Sequence, residues 1–201
     1  KGSCLASANG KLFLKTQPGP VNAQYGHNKA WRFDAVVRLA DGGYAAAATT
    51  TKHIPDKDKY QYLYWLRFDK TGALVDSQQL LKGNAGKTLA SDVIATDMTT
   101  NAAGGYVITG YAFETQQGKK EGFIYGLDSQ GKTQWTVAAH DMKIWATSVF
   151  HTSPQAVARL ADGSIAVPTH YDKWGWKGTR YAVICLKSNG DLKWLGEKNS
   201  I

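Results

Sequence analysis

Two different glycine turns recur along this chain in a fixed order, and that repeat constrains the fold more than any other feature. Phe68-Asp69-Lys70-Thr71-Gly72, Leu127-Asp128-Ser129-Gln130-Gly131 and Leu186-Lys187-Ser188-Asn189-Gly190 are one turn written three times, with successive glycines 59 residues apart. Upstream of each stands the other turn: Ala40-Asp41-Gly42-Gly43-Tyr44, Ala102-Ala103-Gly104-Gly105-Tyr106 and Ala161-Asp162-Gly163-Ser164-Ile165. Self-similarity at a fixed period is the mark of a repeat architecture. Each turn places glycine where a tight hairpin needs positive φ.

Between the turns lie short runs rich in Val, Tyr, Thr and Trp, the residues that suit a pleated, half-buried strand. The first repeat predicts strands A to D at 34–39, 43–50, 60–68 and 73–80. The second predicts 92–97, 105–113, 121–128 and 132–138, and the third 155–160, 164–171, 179–187 and 191–195. Four antiparallel strands per repeat, none able to bury both faces of its sheet alone, describe β-propeller blades in an all-β chain. The blades span 31–81, 89–138 and 154–196 of a single partial propeller domain covering 1–201. The segment Cys4–Phe13 parallels Cys185–Trp194 with one extra residue in the turn, so 1–16 reads as half a blade.

About three and a half blades fall short of the four that the smallest propellers use. The expectation is a fragment or subunit of a larger assembly, with another chain or a second copy completing the ring. Open sheet edges would otherwise invite aggregation.

The runs Asn101-Ala102-Ala103-Gly104-Gly105-Tyr106-Val107-Ile108-Thr109-Gly110 and Ile124-Tyr125-Gly126-Leu127-Asp128-Ser129-Gln130-Gly131-Lys132-Thr133-Gln134-Trp135 resemble the repeats of bacterial exported β-propeller proteins. Quinoprotein-like propellers are similar in their turn-then-Trp pattern. The resemblance covers nearly the whole chain and rests on structural motifs. It implies a propeller fold and a secreted, periplasmic or cell-surface location, and it transfers no catalytic residue.

Composition narrows the rest. No stretch approaches the eighteen or so apolar residues of a membrane-spanning helix, and Lys1-Gly2-Ser3-Cys4 opens without the apolar core of a secretion signal. The net charge of +8 comes without a Lys/Arg run longer than two. Such a balance serves solubility or an acidic partner. Nucleic acid is disfavoured, because no nucleic-acid module is recognisable. Cys4 and Cys185 do not make a disulfide framework and leave the choice between one bridge and two buried thiols open.

In a four-stranded meander the short A–B and C–D turns share one edge, and the longer B–C and D–A connections share the other. All five histidines (His27, His53, His140, His151 and His170) fall in or beside the second set, as do Trp31, Trp145, Trp174 and Trp176. Loops held by a rigid frame are where binding groups collect. The strongest binding candidate is Tyr171-Asp172-Lys173-Trp174-Gly175-Trp176, where two indoles can stack on a sugar ring and their polar neighbours can bond its edge. Asp34, Asp92 and Gln155 open the innermost strands and would converge at a channel mouth, unless they cap loop N–H groups.

His27, His151 and His170 are weak metal candidates, since no HxH or HxxxH spacing supports them. No cofactor is specified. The reading is a non-catalytic propeller that binds carbohydrate or protein through its long-loop face. The alternative is a subunit of an oxidoreductase or hydrolase with its site at the channel mouth.

Overall fold

A computed structural model of the chain describes residues 4–8, 11–15, 29–54, 57–82, 93–114, 119–138, 149–173 and 180–198. Among these the fold is all-β, with every strand pairing antiparallel. A hairpin of β1 (Cys4–Ala8) and β2 (Lys11–Lys15) comes first. The first sheet runs in order through β3 (Lys29–Arg38), β4 (Tyr44–Ile54), β5 (Lys57–Phe68) and β6 (Leu74–Lys82). The second holds β7 (Val93–Thr100), β8 (Tyr106–Glu114), β9 (Lys119–Leu127) and β10 (Thr133–Ala138). In the third, β11 (Val149–Pro154) and β12 (Ala158–Arg159) share one edge position beside β13 (Ile165–Lys173), followed by β14 (Arg180–Leu186) and β15 (Leu192–Lys198).

The turn chemistry expected from the repeat is present. Gly42, Gly72, Gly104, Gly131, Gly163 and Gly190 all have φ between 78° and 88°, a conformation that costs an L side chain. Each turn closes with paired backbone bonds, as in Gly131 N–H to Asp128 O at 3.1 Å and Asp128 N–H to Lys132 O at 2.9 Å. The Asp or Asn ahead of the glycine folds back to accept further N–H groups, the Asx device that makes these residues turn formers. Asp128 Oδ1 takes Gln130 N–H at 3.0 Å and Lys132 N–H at 2.9 Å, and Asn101 does the same for Ala103 and Gly105.

The first strand of every sheet differs from the sequence expectation. β3 begins at Lys29, so Asp34 lies within a strand and not at its start. One extra residue interrupts the ladder there, since Phe33 pairs with Ala48 and Ala35 with Ala47. Thr96 is the extra residue of the second sheet, between the Ala95–Gly110 and Asp97–Thr109 pairs. In the third sheet the expected strand 155–160 is displaced upstream. β11 takes 149–154, and residues 155–157 break the ladder before β12. Such bulges bend a strand and release backbone groups from it.

The sheets stack in chain order, each on the next. Ala45, Ala47, Leu63 and Trp65 of the first face Val93, Ile108, Phe123 and Leu127 of the second, all buried. On the opposite face of the second sheet, Val107 and Ile124 meet Val157, Ile165, Val167, Tyr171, Ile184 and Leu186 of the third. Burial of this kind contributes about 1.5–3 kcal/mol for each large aliphatic or aromatic side chain. The far face of the first sheet also buries Ala46, Ala48, Tyr64, Leu66 and Phe68. The far face of the third is different: Tyr181 and Trp194 there are 52% and 44% exposed.

Candidate functional site

The carboxylates of the first strands reach across to backbone groups beside the bulges of the next sheet. Ala95 N–H of the second sheet reaches Asp34 Oδ2 at 3.4 Å, and Val157 N–H of the third reaches Asp97 Oδ2 at 2.9 Å. Each is a clasp between neighbouring sheets, supplying a partner to an N–H beside the bulge of the next sheet's first strand. Asp34 also accepts the Thr49 hydroxyl at 3.0 Å and pairs with Arg32, and its side chain is only 5% exposed. Its oxygens are thus committed within the frame. Gln155 stands at the third bulge, where its Nε2 donates to Ser153 O and Oγ, both at 2.9 Å.

The histidines that the structure describes are not brought together. His151 Nδ1 accepts Lys120 N–H of β9 at 2.9 Å, and beside it Thr152 Oγ1 accepts Gly122 N–H at 2.7 Å. These side chains cap the stretch of β9 beyond Phe123, where its pairing with β10 ends. His170 instead meets Tyr181 edge-on, with ring centroids 4.5 Å apart. Among the described residues no group of three His, Cys, Asp or Glu is placed to hold a metal ion. Cys185 is a free, buried thiol.

The candidate stretch 171–176 is described only in its first part. Tyr171 is 1% exposed and belongs to the core between the second and third sheets, where burial pushes its phenol up. Asp172 is half-buried opposite His151 on β11, and Lys173 ends β13. Trp174, Trp176, Asp92 and His27 lie outside the described residues.

Both edges of the stack carry charged residues, with the larger excess of basic ones on the long-connection edge. On the short-turn edge the carboxylates are consumed locally. Hydrogen bonding to Gly43 N–H, helped by Arg67, holds Asp41 below the usual carboxylate range. The Thr71 hydroxyl and Ala73 N–H do so for Asp69, and Lys193 with Ser164 for Asp162.

The long-connection edge gathers cations at its strand ends. They are Lys29, Lys52, Lys57, Lys59 and Lys82 on the first sheet, Lys119 and Lys120 on the second, and Lys173, Arg180 and Lys198 on the third. Against them stand Asp58, Glu114, Glu121, Asp172 and Glu197. Lys120 Nζ lies 5.0 Å from the Tyr111 ring centroid, within cation–π range.

An open depression of about 400 Å³ lies on the outer face of the third sheet, bounded by Gln155, His170, Tyr181 and Trp194. The sequence reading named Gln155 and His170 but missed Tyr181 and Trp194, because both sit inside predicted strands. No helix of the described residues is long and apolar enough to cross a membrane. A scan of protein-family models and a search of curated proteins gave no match to this chain.

Proposed function

We propose that the chain is a run of β-propeller blades with a non-catalytic binding role in a larger exported assembly, and that its long-connection edge takes an acidic carbohydrate. The observation that carries this reading is the excess of basic over acidic residues along that edge. Among the described residues of the three sheets, the long-connection edge has ten basic strand-end residues against five acidic ones, while Asp41, Asp69 and Asp162 of the other edge are engaged beside their own turns. A surface of one sign draws a polyanion at long range, and salt screens that attraction. The sequence adds Trp174 and Trp176 between Lys173, one of those cations, and Lys177, and indole faces stack on sugar rings. The repeats' resemblance to exported propellers supports the location.

The test is affinity electrophoresis and calorimetry with polygalacturonate and alginate as probes, and with neutral dextran as the comparison. Polyanion binding that weakens with salt, and that drops by about tenfold or more in Trp174→Ala/Trp176→Ala, is the expected result. That drop would correspond to at least about 1.4 kcal/mol. Equal retention by dextran, or no retention by either polyanion at low salt, would overturn the reading.

A further inference from the structure

The second and third sheets are joined by a specific fitting. Trp135 on β10 stands opposite Gly126 on β9, and its Nε1 donates to Ser188 O in the last turn of the third sheet at 3.0 Å. Gly190 of that turn lies flat on the indole, so close that a Cβ there would come within 2.7 Å of the ring. The first and second sheets meet in a related way, with Gly131 pressed against Trp65. Twice, therefore, an indole on one sheet receives the left-handed glycine of the next sheet's last turn.

Trp194 repeats the position of Trp135. Both lie four residues beyond the turn glycine, on the last strand, and Trp194 pairs with Cys185 as Trp135 pairs with Gly126. Yet Trp194 is 44% exposed, Tyr181 on the neighbouring strand is 52% exposed, and both line the depression. Contiguous apolar surface of this kind on a β-sheet marks a contact face. The bulge position is prepared as well. Where the first sheet has Asp34 to accept an N–H from its neighbour, the third has Gln155, whose Nε2 is held by Ser153 and whose amide oxygen is an acceptor.

The geometry points to this outer face as the seat for a further four-stranded sheet of the same repeat. Trp194 is its anchor, receiving a turn glycine and donating its indole N–H to the carbonyl two residues before that glycine. The occupant is specified by continuity, since the face carries on the Trp135 junction between the second and third sheets, and a turn glycine also seats on an indole, that of Trp65, between the first and second. The inference rests on the blade reading proposed above but not on the carbohydrate.

The experiment lengthens the full chain by a second copy of residues 139–201, marked with Glu197→Asp so that its peptides separate from the originals. Hydroxyl-radical footprinting by mass spectrometry then follows each tryptophan. In the parent chain Trp194 oxidises faster than Trp135. In the lengthened chain Trp194 should fall to the rate of Trp135, and its counterpart in the added copy should take over the fast rate. Valine in place of the added copy's turn glycine should restore the reactivity of Trp194.

The inference is overturned if Trp194 stays reactive, or if the added copy fails to fold. It is equally overturned if native mass spectrometry shows the parent chain as a dimer with Trp194 already protected, because a second copy would then be the occupant. Polygalacturonate binding by the parent chain is read separately, so loss of the carbohydrate reading and loss of this one are distinguishable.

Discussion

The contact between the first two sheets can be weighed by adding one methyl group. Gly131 has φ of +78°, and a Cβ there would lie 2.1 Å from a ring carbon of Trp65, which is fully buried. Gly104 has nearly the same backbone, φ +79°, but nothing lies within 4 Å of where its Cβ would be. Gly104→Ala therefore reports the conformational cost alone, about 1–2 kcal/mol for an L residue held left-handed. Gly131→Ala adds the overpacking of a core side chain that has no room to retreat, about 1–3 kcal/mol more. Expected losses are about 1–2 kcal/mol for the first variant and about 2–5 kcal/mol for the second.

Thermal and urea unfolding measure both. For a chain of this size each kcal/mol moves the melting temperature by roughly 2–4 °C, so a gap of about 2 kcal/mol between the variants would separate them by roughly 4–8 °C. The m-value should stay constant, because neither change alters the surface exposed on unfolding. If the two alanines cost the same within about 0.5 kcal/mol, which is ordinary scatter for surface changes, Gly131 does not seat on Trp65. The stacking of these sheets would then have to be redrawn.

Two further outcomes follow from the hydrogen bonds. The carboxyls of Asp41, Asp69 and Asp162 are held below their ordinary range in the fold, so unfolding takes up protons in acid. Their contribution is complete above the unfolded value, about 4, and fades as the pH falls toward the depressed folded values. Calorimetry across this range should show the melting temperature declining below about pH 4, less steeply in Asp162→Asn, and an identical slope in that variant would refute the role of Asp162. Thr152→Val keeps the shape of the side chain but leaves the N–H of buried Gly122 without its acceptor, costing about 1–3 kcal/mol. Hydrogen exchange at the Gly122 amide should accelerate, and an unchanged rate would show that the hydroxyl is not its partner.

The turns were legible in the sequence because their cause is local. A left-handed glycine after Asp or Asn is fixed by four or five residues, and all six glycines of the two repeated motifs have positive φ. Strand ends were less legible, because they depend on which partner continues to pair. Thus β5 begins at Lys57 and not at 60, drawn out by its ladder with β4. The bulges were hidden for the same reason, since where a first strand takes an extra residue depends on its packing beside the neighbouring sheet. His151 reads in the sequence as a weak metal candidate, yet its ring nitrogen meets a backbone N–H from β9, more than thirty positions away in the chain. No local spacing could reveal that.

The clasps show why a motif search would also miss what holds the stack together. Asp34 occupies the bulge of its strand, whereas Asp97 sits one residue past the bulge at Thr96, so the two do not align in the repeat. Both nevertheless capture an N–H of the following sheet's first strand. What recurs is a need, an amide beside a bulge and facing the neighbouring sheet, and leaving such a buried group unpaired costs more than a single such bond contributes. Any nearby acceptor that reaches it satisfies that need. The third sheet has no acidic residue anywhere in β11 or β12, and Gln155 is the acceptor standing at its bulge. A sheet docking on that face would therefore be held by a neutral amide in place of a carboxylate.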